Sequence, residues 1–492
     1  MKNRQRKIIE NVKMLEAVAE GNCIAKIDDK VLFVPFTAPD DVVDVEVVRQ
    51  KHNYMEGRVL RLVEPSLLRV EPKCSHYGIC GGCKWQHLDY ASQLSFKEKQ
   101  VRDQLERIGK ITLPVSEPIL GSPEIYYYRN KLEYTFAPRK WFTVPPVESD
   151  LADISTVAAL GYHIPKRFDK ILDIEHCYLQ PSPSNEIRLF IKQYALEKGY
   201  EFYSTRVESR GGKHSNSEDN SRSNFSLRNI IIRNAGEKFM LILVVSKHNS
   251  KAIEDILNAV QGKFPQVVSL YYVVNEKVND SISDLEAIHY SGEEFLTAEM
   301  PNFHSETLKT LKFRIAPKSF YQTNALQSER LYNVAAEMAS LKQDDVVYDL
   351  YTGTGTIALF IANSVKKVVG IEYINEAVND AKANAVSNNI NNASFFAGDM
   401  AKILTQQFVE QNGKPDVIIT DPPREGMHPD VVKTLLDIEA ERIVYVSCNA
   451  ATQARDIALL AEKYTLKRHR AVDMFPHTAH VESVALLTKN TL

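Results

Sequence analysis

Asp349-Leu350-Tyr351-Thr352-Gly353-Thr354-Gly355-Thr356-Ile357-Ala358 follows the apolar run Val346-Val347-Tyr348 and opens a segment of helical character. Two glycines at this junction let the backbone turn sharply and approach a ligand with no Cβ in the way. Outward from the loop, strand-like and helix-like stretches alternate. Val368-Val369-Gly370-Ile371, Ser394-Phe395-Phe396, Val417-Ile418-Ile419 and Ile443-Val444-Tyr445-Val446 are short, apolar and rich in β-branched or aromatic residues. The alternation predicts an α/β domain built on a doubly wound, Rossmann-like parallel sheet, with ligands at the carboxyl ends of its strands. Gly353-x-Gly355-x-x-Ala358 also satisfies a dinucleotide fingerprint, so the loop alone admits a nicotinamide nucleotide. Glu372 ends the next strand, where a carboxylate accepts ribose hydroxyls in either reading.

The whole chain has 492 residues, room for roughly three domains. Lys and Arg number 60 and Asp and Glu 63, giving a net charge of −3, with 44% hydrophobic and 25% charged residues. This balance excludes a disordered tail protein, a collagen-like chain and a disulfide miniprotein. It also excludes nucleic-acid binding by bulk basicity, so any such contact must be a local patch. No apolar run approaches the roughly 18 residues that span a bilayer. Met1 to Lys13 is basic without an apolar core, so no secretory leader is expected, and a cytoplasmic protein without membrane contact is. Cys23, Cys74, Cys80, Cys83, Cys177 and Cys448 are too few for a disulfide framework. In a reducing compartment, clustered thiols point to metal binding or catalysis.

Residues 1–65 read as a small β-barrel of the OB-like kind. Cys23 to Ile27, Val31 to Phe36, Asp44 to Val48 and Gly57 to Val63 are its strand candidates. Lys2, Arg4, Arg6, Lys7, Arg49, Lys51, Arg58 and Arg61 are either solvated strand faces or a phosphate-contacting surface. Residues 66–310 form a central α+β region with a helical pattern from Ala91 to Ile108, and Gly211 to Asn224 reads as a surface loop. The α/β domain occupies residues 311–492.

Three further features bear on chemistry. Asp349 precedes the glycine loop, where a carboxylate repels a pyrophosphate and suits a cationic ligand. Asp421-Pro422-Pro423 ends the fourth strand, and the next residue is Arg424 rather than the aromatic that accompanies methylation of exocyclic amines. Together these resemble class I S-adenosylmethionine-dependent methyltransferases. Cys448 lies just past the fifth strand, at the ligand edge, and Glu482 precedes the final one. His477 and His480 have no accompanying ligand pattern. Cys74-x5-Cys80-x2-Cys83 with Cys177 could hold zinc, with His76, His87 or His176 as alternative ligands, or a [4Fe–4S] cluster.

Ser319 to Asn324, Asp349 to Thr356, Asp421 to Gly426, Ser447-Cys448-Asn449 and His477 to Ser483, in this order, resemble the RNA uracil-5-methyltransferase family. The closest resemblance is to its iron–sulfur branch, which makes 5-methyluridine in ribosomal RNA and carries an N-terminal TRAM barrel. The resemblance implies S-adenosylmethionine contacts at Gln322, Tyr351, Thr356, Glu372, Asp399 and Asp421. It implies Cys448 as the nucleophile that adds to carbon 6 of uracil, and Glu482 as the base that removes the carbon 5 proton. It implies a [4Fe–4S] cluster on Cys74, Cys80, Cys83 and Cys177. Arg129, Lys131 and Phe320 become the expected RNA contacts, Tyr126 to Lys131 interleaving aromatics with cations. The implied partner is RNA, 23S ribosomal RNA first, because the transfer-RNA branch typically lacks barrel and cluster; the implied state is a monomer. Two rivals remain. An iron–sulfur, nicotinamide-dependent oxidoreductase leaves Cys448 and Glu482 idle, and a silent RNA-binding protein has no reason to keep both.

Overall fold

The glycine loop leaves the third strand of an eight-stranded sheet. The computed structural model describes residues 7–143, 157–204, 225–302 and 308–490. Strand order in this sheet is Ala393–Ala397, Lys367–Glu372, Val346–Leu350, Val417–Thr420, Arg442–Ser447, Glu482–Lys489, Tyr464–Val472 and Glu117–Leu120. The first five run parallel. Glu482–Lys489 is antiparallel to both of its neighbours. Chain order reverses between Val346–Leu350 and Val417–Thr420, which opens a crevice at their carboxyl ends.

The five expected parallel strands are all present, and their apolar runs are continuous because helices cover both faces. Ala325–Ala339, Thr356–Ile361 and Asn375–Ser387 pack on one side. Tyr90–Arg107, Pro429–Ile438 and Ala450–Leu460 pack on the other. Helix Tyr90–Arg107 and the edge strand Glu117–Leu120 thus join the C-terminal sheet from far upstream. The strand pairs Arg470 with Glu117 and Val472 with Leu120. Its four residues, one of them Pro118, show no alternation that marks a strand.

Lys97 holds the helix to this sheet. Its Nζ lies 2.6 Å from Asp473 Oδ1, and both side chains are 0% exposed. It also donates to the Phe475 carbonyl, while Tyr90 donates to the other Asp473 oxygen. Removing one partner of a buried pair strands the other charge. Lys97→Ala should therefore cost about 3–5 kcal/mol in denaturant unfolding; a loss below about 1 kcal/mol would show that water reaches Asp473.

The central sheet has seven strands, in the order Arg167–Asp173, Ala159–Ile164, Lys131–Ala137, Leu227–Ala235, Lys238–Val245, Val267–Val274 and Ile288–Gly292. Its inner face shares one core with the C-terminal domain: Met240, Ile242 and Val244 pack with Leu331, Val347 and Val484. The sequence loop Gly211 to Asn224 lies outside the described residues.

The N-terminal sheet has six strands, ordered Ile8–Lys13, Val42–Gln50, Tyr54–Glu64, Lys30–Pro35, Asn22–Ile27 and Glu16–Ala17. It wraps a core of Met14, Cys23, Leu32, Val34, Val43, Val45 and Met55. Cys23 is therefore a core side chain. The first strand is hidden in the sequence because its register slips between Ile9 and Val12 and Asn11 is left-handed, at φ 54°. The basic patch also reads differently once strands pair. Arg49 meets Glu56, Arg58 meets Glu46 and Arg61 meets Asp44, each across a strand pair. These three arginines are locally neutralised; Lys2, Arg4 and Arg6 lie outside the described residues. Among the described residues no helix is long and apolar enough to cross a membrane.

Candidate active site

Gly353 and Gly355 both have left-handed backbones, at φ 55° and 80°. A Cβ on Gly355 would sit 3.0 Å from Ala381 and 3.1 Å from Phe395, so this turn admits only glycine. Gly353 has open space where a Cβ would point, toward the crevice. Asp349 is buried beneath the loop. One carboxylate oxygen accepts from the Thr352 hydroxyl at 2.5 Å and from the Ala358 N–H at 3.1 Å. The other oxygen is buried without a partner. Asp421 ends the adjacent strand, one step beyond the Leu350–Thr420 pair. Burial raises both carboxyls well above the carboxylate range, and each lies beside another acid: Glu372 for Asp349, and Asp349 for Asp421. Burial and the neighbouring acids thus disfavour a negative charge on either carboxyl, and a cationic ligand beside them would offset that cost.

Gln322, Tyr351, Thr356 and Asp421 line one narrow groove over this loop, together with Phe320 and Tyr321. The Thr356 hydroxyl is 3.1 Å from the Tyr332 hydroxyl. Glu372 stands at the groove's edge, its two oxygens accepting from the Gly353 and Ile374 N–H groups, each at 3.0 Å. Asp399 is set further back. Its carboxylate caps the helix Met400–Ile403 through the Ala401 N–H and pairs with Lys402. The structure therefore gathers four of the six expected contacts on one surface, with Glu372 joined to it through the Gly353 N–H and Asp399 outside its lining.

Cys448 and Glu482 meet through strand register. Ser447 pairs with Ser483 in the antiparallel ladder, so the next step outward sets Cys448 opposite Glu482. Facing residues in such ladders have Cα atoms about 4.5–5.5 Å apart. Cys448 is half-buried and Glu482 buried. Burial pushes the Cys448 thiol up to about 11, the Glu482 and Asp421 carboxylates add to this, and Arg424, hydrogen-bonded to the thiol, opposes it. Burial and then Asp421 push Glu482 up, again against Arg424. Arg424 thus serves both groups, a role no spacing in the sequence disclosed. Its backbone is fixed by its neighbours: its carbonyl accepts from Asn449 Nδ2 at 3.0 Å and from the Thr452 hydroxyl at 3.2 Å.

Asn130 ties the expected RNA segment to the groove. Its N–H donates to the Thr323 carbonyl and its side-chain amide to the Gln322 carbonyl, both at 2.8 Å. Arg129, Lys131 and Phe320 border a cavity of about 610 Å³, and all four clustered cysteines border the same cavity. His477 ties the segment before Glu482 to the residues that follow Cys83. Its carbonyl accepts from the Lys84 and Trp85 N–H groups, and its ring stacks 4.4 Å from Tyr126. His480 is exposed.

Among the described residues no three His, Cys, Asp or Glu side chains converge as the ligands of a single ion. The donor set around the cavity is nonetheless sulfur-rich. Both His87 ring nitrogens are engaged, by Tyr77 and the Thr37 carbonyl, and His76 Nε2 accepts from the Glu175 N–H. Burial raises all four thiols, Cys80 and Cys83 to about 12. Yet hydrogen bonds that favour thiolates reach every sulfur: from His76 and Tyr77 to Cys74, Gly82 to Cys80, Gln86 to Cys83, and Leu179 and Tyr162 to Cys177. Gly81 makes the tight turn possible, with φ 68° and Pro165 Cγ 2.3 Å from where a Cβ would lie. Four thiols bordering one space are a donor set that suits either a multinuclear cluster or a zinc ion.

Comparison with known proteins agrees with this geometry. Residues 294–490 match the tRNA (uracil-5-)-methyltransferase family, and residues 9–60 match the TRAM domain. An RNA methyltransferase of Bacteroides thetaiotaomicron is 47% identical, over 95% of this chain and 99% of its own length. One of Porphyromonas gingivalis is also 47% identical, over 98% of this chain and 100% of its own. Among solved structures, the Pyrococcus abyssi tRNA (uracil-54, C5)-methyltransferase, bound to S-adenosyl-L-homocysteine, superposes with a TM-score of 0.70 at 26% identity, over 97% of this chain and 100% of that one. With its glycine-loop groove, its TRAM barrel and relatives matched from end to end, the chain belongs to the S-adenosylmethionine-dependent RNA uracil-5-methyltransferases.

Proposed function

We propose that this enzyme methylates carbon 5 of a uridine in RNA through a covalent bond between Cys448 and carbon 6 of the base, with 23S ribosomal RNA as the target. The observation that carries the reading is the juxtaposition of Cys448, Glu482 and Arg424 at the sheet end beside the Asp421 groove. Bound S-adenosylmethionine supplies an electrophilic methyl group on a cationic sulfur. Uracil carbon 5 is too weak a nucleophile to take it unaided. The Cys448 thiolate adds to carbon 6, and the displaced electron pair makes carbon 5 enolate-like. Arg424 hydrogen-bonds the sulfur and offsets the burial that opposes its ionisation. Once carbon 5 carries the methyl group, Glu482 takes its proton; the C–H electrons restore the ring double bond and Cys448 leaves as thiolate. Burial and then the Asp421 carboxylate raise Glu482 well above the carboxylate range, so its ionised form is a stronger proton acceptor than an exposed carboxylate. A stacked uracil cannot present carbon 6 to Cys448, so the base is flipped out, with the exposed Phe320 beside the groove to receive its face.

Gln322, Tyr351, Thr356 and Asp421 hold the methyl donor, with Glu372 joined to its site through the Gly353 N–H and Asp399 outside the groove's lining. Asp349 and Asp421 are raised from an ordinary 3.8 to about 7. Their protonated forms favour the ligand-free fold, a contribution lost as pH rises through about 7. A cationic ligand prefers the ionised pair, so S-adenosylmethionine affinity should increase between about pH 5 and about pH 8 in calorimetry. Asp349→Asn should flatten that rise; an affinity indifferent to pH in the wild type would remove the pair from the site.

The proposed [4Fe–4S] cluster sits on Cys74, Cys80, Cys83 and Cys177. Its role is structural, since methyl transfer moves no net electron. Protein purified without oxygen should be brown and carry about four irons per chain. Stoichiometric zinc in colourless protein would replace the cluster with a zinc site.

The ribosomal target rests on the resemblance of the cysteine quartet to the iron–sulfur branch; the barrel does not separate the two RNA classes, because a tRNA enzyme matches 97% of this chain. One observation favours transfer RNA as a second reading: the end-to-end likeness to the Pyrococcus tRNA enzyme. Mapping 5-methyluridine in both RNA classes from a strain lacking the gene separates them. Loss from 23S RNA alone supports the first, and loss from transfer RNA alone supports the second.

A further inference from the structure

Lys73 holds its ammonium over three tyrosine rings at once. Nζ lies 4.8 Å from the centroid of Tyr126, 5.1 Å from Tyr127 and 4.7 Å from Tyr178. The three segments meet only in the fold: Lys73 precedes Cys74, and Tyr178 follows Cys177. His176 packs 4.4 Å from Tyr178, extending the aromatic surface. Consecutive side chains of an extended segment point to opposite sides. Tyr126 and Tyr127 nevertheless face the same ammonium, because Tyr127 is left-handed at φ 56°. A bulky residue there is an outlier, costing on the order of 1–3 kcal/mol. The turn is fixed by the Tyr127 N–H, which donates to the Tyr178 carbonyl at 2.7 Å. The ring so placed is 40% exposed, so the core does not need this conformation.

The surface is continuous with the site above. His176, Tyr178 and Phe320 all border the 610 Å³ cavity. Phe320 also borders the glycine-loop groove and is 68% exposed. Aromatic faces beside an exposed cation suit an unpaired nucleotide, which stacks its base on a ring and gives its phosphate to the ammonium. A duplex offers no free base face.

We propose that Tyr127, Tyr178 and Lys73 form a stacking platform for an unpaired base of the substrate RNA flanking the target uridine. The platform rests on the reading of this enzyme as an RNA uridine methyltransferase. It should make Tyr127→Gly an unusual substitution. Glycine relieves the left-handed backbone, so the melting temperature should not fall, while RNA affinity by fluorescence anisotropy should weaken roughly ten-fold. The KM for RNA should rise by the same factor with kcat unchanged. Tyr178→Phe should keep wild-type affinity, because stacking needs the ring and not the hydroxyl; Tyr178→Leu and Lys73→Gln should weaken it. An abasic nucleotide at one position flanking the uridine should weaken wild-type binding about as much, and should add nothing in Tyr127→Gly. Equal RNA affinity of Tyr127→Gly and wild type overturns the platform whatever the activity. Platform-dependent binding by a wild type that methylates no uridine leaves the platform standing and overturns the uridine reading instead.

Discussion

Cys448→Ala should abolish methyl transfer, by about four orders of magnitude or more in kcat. The expectation follows from the order of bond changes. Without the thiolate, carbon 5 never becomes nucleophilic, so no methylated product forms and no protein–RNA complex survives denaturation. The fold should tolerate the change. Cys448 is half-buried at a strand end and its thiol gives up one hydrogen bond, with Arg424, so unfolding stability should shift by no more than about 1 kcal/mol. S-adenosylmethionine affinity should be retained, because Cys448 is not among the residues that line the groove. Residual methylation near wild-type levels would mean that carbon 5 is activated without a covalent bond.

Glu482→Gln should fail at the opposite end of the reaction. Glutamine keeps the shape but cannot accept the carbon 5 proton. Burial already disfavours a charge at this position, so a neutral amide should fold at least as stably. Addition and methylation precede the step that needs the carboxylate, so the Cys448–uracil adduct should accumulate after methylation. Turnover should fall by about 10²–10⁴-fold. A labelled methyl group should migrate with protein and RNA together on a denaturing gel. Normal turnover would assign the base elsewhere, and inactivity without adduct would place Glu482 before methyl transfer.

The two residues contrast with their surroundings in how they could be read from the chain. Cys448 and Glu482 each flank an apolar run that could only be a buried strand, so their place at a sheet end was legible. That the two strands are neighbours and antiparallel was not, because the pairing of Ser447 with Ser483 is set by packing. The glycine loop was legible for the same reason as the strands: its punctuation falls where a periodicity changes. Arg424 was visible only as the residue after Asp421-Pro422-Pro423; its contact with Cys448 arises from the clasp of Asn449 and Thr452 on its carbonyl. Gln93 and Lys97 face His477 and Asp473 across sequence separations of 384 and 376 residues, which no local pattern reports. The barrel arginines were only partly legible. Each could be read as a solvated strand face or a phosphate contact, and only register shows the acid set beside it.

The covalent route is tested most directly by trapping the wild-type enzyme on RNA carrying 5-fluorouridine at the target position. Fluorine on carbon 5 cannot leave as a proton does, so Glu482 has nothing to remove and Cys448 cannot depart. Mass spectrometry of the digested complex should find the peptide containing Cys448 joined to a fluorinated nucleotide that also carries one transferred methyl group. A complex attached through any other residue, or quantitative methylation with no attached nucleotide at all, would contradict it.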